Sequence, residues 1–238
     1  MPRRSPLAAI LLIALVCLSK GSRPLGAAES CGWLLPPDAC TPDGMAGRET
    51  YVPQPGDIVL YTHNSLRTRC LYLLAHTGKP YHAGIVVRLP DGRPAILEAG
   101  PYDYLHVYLM DALPRLRTHE GLIWVRRLRV PLTAEQSARL TTFALQQTGK
   151  GFALFRVILE ATPFHAHGVL HSRLFGSARI DRHHWFCSEL VIAALAAAGV
   201  VDPQTVKPNT IYPRDLFYDH PFNLKPCWEA PRRWTCDP

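Results

Sequence analysis

Cys187, His82 and Glu98 are the residues of this chain whose types could together make a nucleophilic centre. In such a centre a thiolate attacks a carbonyl carbon, an imidazole takes and returns the proton, and a carboxylate holds the ring in the useful tautomer. Cys187 stands in His184-Trp185-Phe186-Cys187-Ser188-Glu189-Leu190. From it Leu190, Val191, Ala194, Leu195 and Ala198 recur at offsets of three and four up to Gly199. That is the apolar stripe of a core-facing helix, with the sulfur in its first turn. None of the three residues before Cys187 is a good capping side chain, so the first N–H groups are expected to lack a local acceptor. Those donors and the positive helix end favour an ionised sulfur. A space-filling core thiol would look the same, so the histidine and the glutamate carry the argument.

Two strands must bring His82 and Glu98 together. In Tyr81–Leu89 the apolar Ala83, Ile85, Val87 and Leu89 make a core face, and His82, Gly84, Val86 and Arg88 point the other way, the glycine leaving room beside His82. The link Leu89-Pro90-Asp91-Gly92-Arg93 suits a type I turn followed by a left-handed glycine, a three-residue hairpin loop with a bulge. Leu89 then pairs with Arg93, Gly84 with Glu98 and His82 with Gly100, which puts Glu98 on the face of His82, one diagonal step away. A two-residue Asp91-Gly92 turn would slip the register and bury Glu98 in the apolar run Ala95–Ala99. The cost of an unpaired carboxylate there favours the longer loop.

The remaining pattern supplies a scaffold. Gln54-Pro55-Gly56-Asp57 is a turn into a strand at Ile58–Tyr61, and a helix is predicted over Ser65–His76. Tyr102, Tyr104, His106 and Tyr108 alternate with other residues as a strand with aromatics on one face, packed over the sheet or lining a groove. Leu122–Leu128 reads as another strand. Thr133-Ala134-Glu135-Gln136 is a capping box opening a helix with Leu140, Phe143 and Ala144 that stops near Gly149. Gly151–Phe175 reads as a core helix followed by a loop, with a lid or acyl-chain pocket as the alternative. Pro208–Leu216 is a turn into a short last helix. The expected class is α+β, a small, mostly antiparallel sheet packed against helices.

Residues 1–28, with Arg3 and Arg4 before an apolar run at Leu7–Leu18 and small residues at Gly26-Ala27-Ala28, have the form of a secretory signal peptide, so the chain is expected to be exported, periplasmic or extracellular. The formal charge of +7 less the leader's Arg3, Arg4, Lys20 and Arg23 leaves +3, which does not call for a nucleic-acid partner. The cluster Arg115, Arg117, Arg126, Arg127 and Arg129 reads as a solvated face. Segment 29–50, with Cys31 and Cys40, and tail 221–238, with Cys227 and Cys236, are read as irregular and flank a domain at 51–220. In an oxidising compartment those four cysteines would staple the termini, and two local loops are the favoured of three pairings. Cys70 is read as a buried thiol; a Cys70–Cys187 bridge would remove the nucleophile. His165, His167, His171, His183 and His184 could suggest zinc, but no glutamate lies between the pair four apart, so no metal and no cofactor are expected.

The motifs Pro55-Gly56-Asp57-Ile58-Val59, Tyr81-His82-Ala83-Gly84-Ile85, Ile96-Leu97-Glu98-Ala99 and Phe186-Cys187-Ser188-Glu189-Leu190 resemble the permuted papain-like cysteine hydrolases of the NlpC/P60 superfamily, in particular the YiiX/YaeF-type amidases. The resemblance covers roughly residues 50–220. It implies a circularly permuted papain-like fold, the histidine strand preceding the cysteine helix, with Cys187 as nucleophile, His82 as base and Glu98 as the third polar residue. It also implies an amide as the bond cleaved, with ester or thioester as alternatives, and a small-molecule, cell-wall peptide or lipid-amide substrate at the cell-envelope surface. The long stretch 151–180 and the cysteine-bearing ends depart from the family. The competing class is a non-catalytic, disulfide-stapled binding domain on the same fold.

Overall fold

The structure is a computed structural model, and it describes residues 30–36, 47–64, 78–100, 104–154, 176–220 and 222–236. The segment 1–28 expected to be a leader, Cys40, the helix expected at 65–76 with Cys70, Tyr102 and the histidines at 165, 167 and 171 lie outside the described residues. Among the described residues the strands are β1 (Trp33–Leu34), β2 (Glu49–Thr50), β3 (Ile58–Tyr61), β4 (His82–Arg88), β5 (Pro94–Ala99), β6 (Val107–Asp111), β7 (Ile123–Arg126), β8 (Gly151–Phe152), β9 (His184–Trp185) and β10 (Arg232–Thr235). The helices are α1 (Ala112–Thr118), α2 (Ala134–Gln147), α3 (Cys187–Ala197) and α4 (Pro213–Tyr218). No described helix is long and apolar enough to cross a membrane.

Eight strands form one antiparallel sheet in the order β2-β1-β10-β7-β3-β4-β5-β6, and β8 and β9 pair in parallel beside it. The class is α+β, and the sheet is larger than expected because segments read as irregular add β1, β2 and β10. Cys227 and Cys236 are exposed thiols not joined to each other, which corrects the expected local loop in the tail. The reason is β10 between them, whose extended chain carries the second cysteine away from the first. Of the stretch 151–175, Gly151–Phe152 forms β8, with Gly151 N–H donating to His183 O at 3.1 Å, and the helix expected there falls mostly on residues 155–175, outside the described ones.

The hairpin between β4 and β5 has the three-residue loop. Leu89 N–H bonds Arg93 O at 2.9 Å, Gly92 has φ +88°, and Gly84 stands opposite Glu98. The larger core lies between the sheet's Ile58, Leu60, Ala83, Ile85 and Leu97 and the helices α2 and α3. Every residue of α3 from Cys187 to Leu195 is buried, so this helix is apolar all round rather than striped. Its neighbour α2 opens with the expected capping box, Gln136 N–H to Thr133 Oγ1 at 3.2 Å and Thr133 N–H to Gln136 Oε1 at 3.0 Å. A smaller core on the other face joins Val59, Tyr61, Val86 and Ile96 to Ala112 and Leu116 of α1. Covering both faces turns the histidine's side of the sheet into an interior.

The arginine cluster is a solvated face only in part, since Arg117 and Arg129 are exposed and the other three are not. Arg126 is fully buried and donates to Leu216 O at 2.8 Å, Glu229 O at 2.9 Å and Asp219 Oδ1 at 2.7 Å, tying α4 and the tail to β7. Arg127 pairs with Glu49, which also takes Arg232 at 2.6 Å. Arg115 is buried as well, at the site described next. These side chains hold elements far apart in sequence, so no local pattern could reveal them.

Candidate active site

The register sets the site. His82, first residue of β4, pairs with Tyr61 at the end of β3, and Glu98 on β5 pairs with Tyr108 on β6. His82 Nε2 donates to Glu98 Oε2 at 2.9 Å across the diagonal that the loop type dictates. The sulfur of Cys187 is close enough to the same ring to favour its charged form. Cys187 is a free thiol, so the alternative bridge to Cys70 is not formed. The structure therefore brings the three residues together from β4, β5 and the first turn of α3.

Neighbours fix the start of α3. Trp185 before it pairs through β8 and donates Nε1–H to Gln147 Oε1 at 3.1 Å. Phe186 stacks on Phe152 with ring centroids 6.2 Å apart and meets Tyr212 edge-on at 6.0 Å. Ser188 Oγ donates to Ile211 O at 2.5 Å. The expectation of an uncapped start needs one correction, because Glu189 reaches back to Phe186 N–H at 3.5 Å and is itself paired with Arg182 at 2.8 Å. Leu190 N–H to Phe186 O at 2.9 Å is the first bond of the helical ladder, so the amide of Cys187 lies ahead of it, pointing out of the helix end.

Glu98 is fully buried and ringed by donors. Oε1 accepts Tyr61 OH at 2.6 Å and Arg115 Nε at 3.0 Å; Oε2 accepts His82, Tyr108 OH at 2.9 Å and Arg115 Nη2 at 2.8 Å. Burial alone would raise its pKa, but His82 and Arg115 together hold the carboxyl well below the usual range. For His82 burial is again the largest effect and opposes charge. The Cys187 sulfur and the Glu98 carboxylate outweigh it and push the ring up to about 9. His119, tilted against Tyr61 at 4.8 Å and bonded through Nε2 to Thr62 O at 2.6 Å, goes the other way, to about 4, chiefly by burial. The two rings are thus pushed in opposite directions, His82 toward its charged form and His119 toward its neutral one.

Sequence reasoning named Cys187, His82 and Glu98 but missed Tyr61, Tyr108 and Arg115. The tyrosines were within reach, since carrying the register one strand further on each side places Tyr61 opposite His82 and Tyr108 opposite Glu98. Tyr104, by contrast, is half exposed, so the aromatic alternation does not bury one uniform face. Arg115 had no such signal, because its reach to Glu98 depends on how α1 folds back over the sheet.

No protein-family profile matches this chain, and no curated protein matches it. Among solved structures it is similar to one described as the crystal structure of metalloprotein YiiX from Escherichia coli O157:H7, with 21% sequence identity, 64% of this chain and 69% of that chain covered, and a TM-score of 0.44. Residue roles in this chain rest on its own geometry. Among the described residues no group of three or more His, Cys, Asp or Glu is arranged to hold a metal ion.

Proposed function

We propose that this chain is an exported cysteine hydrolase of permuted papain-like type that cleaves an amide, or an ester or thioester, through an acyl-enzyme on Cys187. The observation that carries the proposal is the buried His82 ring held by Glu98 at 2.9 Å, with the free Cys187 thiol as an electrostatic neighbour of that ring. A buried thiol by itself is what an inert core cysteine also presents; a buried imidazole held by an ionised carboxylate against it is not. In the resting site the proton of the thiol resides on His82. The sulfur attacks the substrate carbonyl, and the amide of Cys187 at the helix start stabilises the oxyanion. His82 then passes its proton to the departing amine, the thioester forms, and water activated by the neutral ring releases the acyl group. Cell-wall peptides and lipid-linked amides at the envelope are the substrate classes consistent with export. Cys187 is only 1% exposed, so substrate entry requires surrounding groups to part.

Treatment of the full chain with an iodoacetamide probe, with and without a chelator, followed by mapping of the label, tests this reading. Preferential labelling of Cys187 in both conditions is expected. Failure of Cys187 to label ahead of other thiols supports the non-catalytic binding domain. Protection that depends on a metal supports a zinc site instead.

A further inference from the structure

The Glu98 carboxylate has more partners than orienting an imidazole requires. Two tyrosine hydroxyls and His82 already engage both oxygens, yet a guanidinium that is itself buried adds contacts at 2.8 and 3.0 Å. Arg115 contacts the Glu98 carboxylate and lies over the Tyr61 ring, 5.1 Å from its centroid. Its effect must pass through charge.

The four groups in line are Cys187, His82, Glu98 and Arg115. Without the guanidinium, the site holding thiol, imidazolium and carboxylate would be neutral, and losing the sulfur's proton to give thiolate with imidazolium and carboxylate would leave a net charge of about −1 in a closed interior. Burial penalises net charge, so the proton would stay on sulfur. With the guanidinium in place the ion-paired form is neutral, and the thiol form carries the surplus charge. Other groups that face the array do not upset this balance. Tyr61 and Tyr108 donate as neutral hydroxyls, His119 is neutral, and on α3 Glu189 is compensated by Arg182.

We infer that Arg115 is a positioning residue whose buried charge, relayed through Glu98 and His82, makes the thiolate form of Cys187 the electrically neutral state of the site. This rests on the reading of Cys187 as nucleophile.

The test is the pH dependence of Cys187 carbamidomethylation by iodoacetamide in the full chain, compared with Arg115→Met and Arg115→Lys, because alkylation follows the thiolate fraction. Arg115→Met should move the midpoint upward by about one pH unit and slow labelling at neutral pH about tenfold. Arg115→Lys, which keeps the charge, should stay within about 0.3 unit of the unaltered protein. An unmoved midpoint in Arg115→Met, or a lysine variant shifted as far as methionine, overturns the inference. If Arg115→Met does not fold, which equal labelling of Cys187, Cys227 and Cys236 would reveal, the lysine variant decides: a midpoint kept supports the role, and one displaced by about a unit ends it. Slow, unselective labelling of Cys187 in the unaltered protein would instead sink the hydrolase reading itself.

Discussion

The Cγ of Glu98 lies 2.8 Å from the point that a β-carbon on Gly84 would occupy. The glutamate crosses directly over the glycine of the neighbouring strand, and by that route its carboxylate arrives at His82. A side chain at position 84 would also meet Ile96 Cγ2 at 2.7 Å, so the space beside the histidine is already filled.

Gly84→Ala should therefore displace Glu98 and uncouple it from His82. Overpacking of this kind costs about 1–3 kcal/mol. Urea unfolding should show that loss, and Cys187 labelling should slow at the same time. An alanine variant with unchanged stability and labelling would mean that Glu98 reaches His82 by some other path.

Glu98→Gln removes the charge that Arg115 and His82 share. It leaves a buried guanidinium uncompensated, with an expected loss of about 3 kcal/mol. Combining it with Arg115→Met should recover part of that loss, because the unpaired cation disappears. Denaturant midpoints of the two single variants and the double variant measure the coupling; strict additivity would contradict the pairing.

Stability should depend on pH through the same groups. His82 has a folded pKa raised from its ordinary 6.5 to about 9, so its contribution is complete below 6.5 and vanishes as pH rises through about 9. Glu98 is shifted downward, so its contribution holds above its ordinary 4.5 and is lost only as the solution becomes strongly acidic. The stability difference between the unaltered protein and His82→Ala should accordingly shrink between about pH 6.5 and about pH 9. Urea midpoints across that range check it, and a constant difference would be inconsistent with a charged ring.

Asp57, in the turn before β3, makes a purely architectural prediction. Its Oδ1 accepts Leu128 N–H at 2.9 Å, and its Oδ2 accepts Tyr51 OH and Gln54 N–H, both at 3.0 Å. In Asp57→Asn an amide nitrogen must face one set of these donors, which should cost about 1–3 kcal/mol. The pH midpoint of Cys187 labelling should not move, and a shift would mean that Asp57 acts on the site.

Local patterns in the sequence carried the elements that point at the site. The turn Pro90-Asp91-Gly92 determined the register of β4 and β5, and that register determined the meeting of Glu98 with His82. The capping box at Thr133 and the apolar run after Cys187 located α2 and α3 for the same reason, because each is decided within a few residues. What could not be read depends on folding across long separations. Arg115 becomes part of the site only when α1 covers the second face of the sheet, and Arg126 becomes interior only when the tail returns as β10. Both were mistaken for surface charge because nothing near them in sequence supplies their partners.

The most direct measurement is the rate of Cys187 alkylation relative to that of Cys227 and Cys236 in the same molecule, in the unaltered protein and in His82→Ala. Although Cys187 is buried and the other two are exposed, it should label faster than either, and the advantage should disappear when the imidazole is removed. A Cys187 that labels more slowly than the exposed thiols, or at a rate indifferent to His82, would contradict the account.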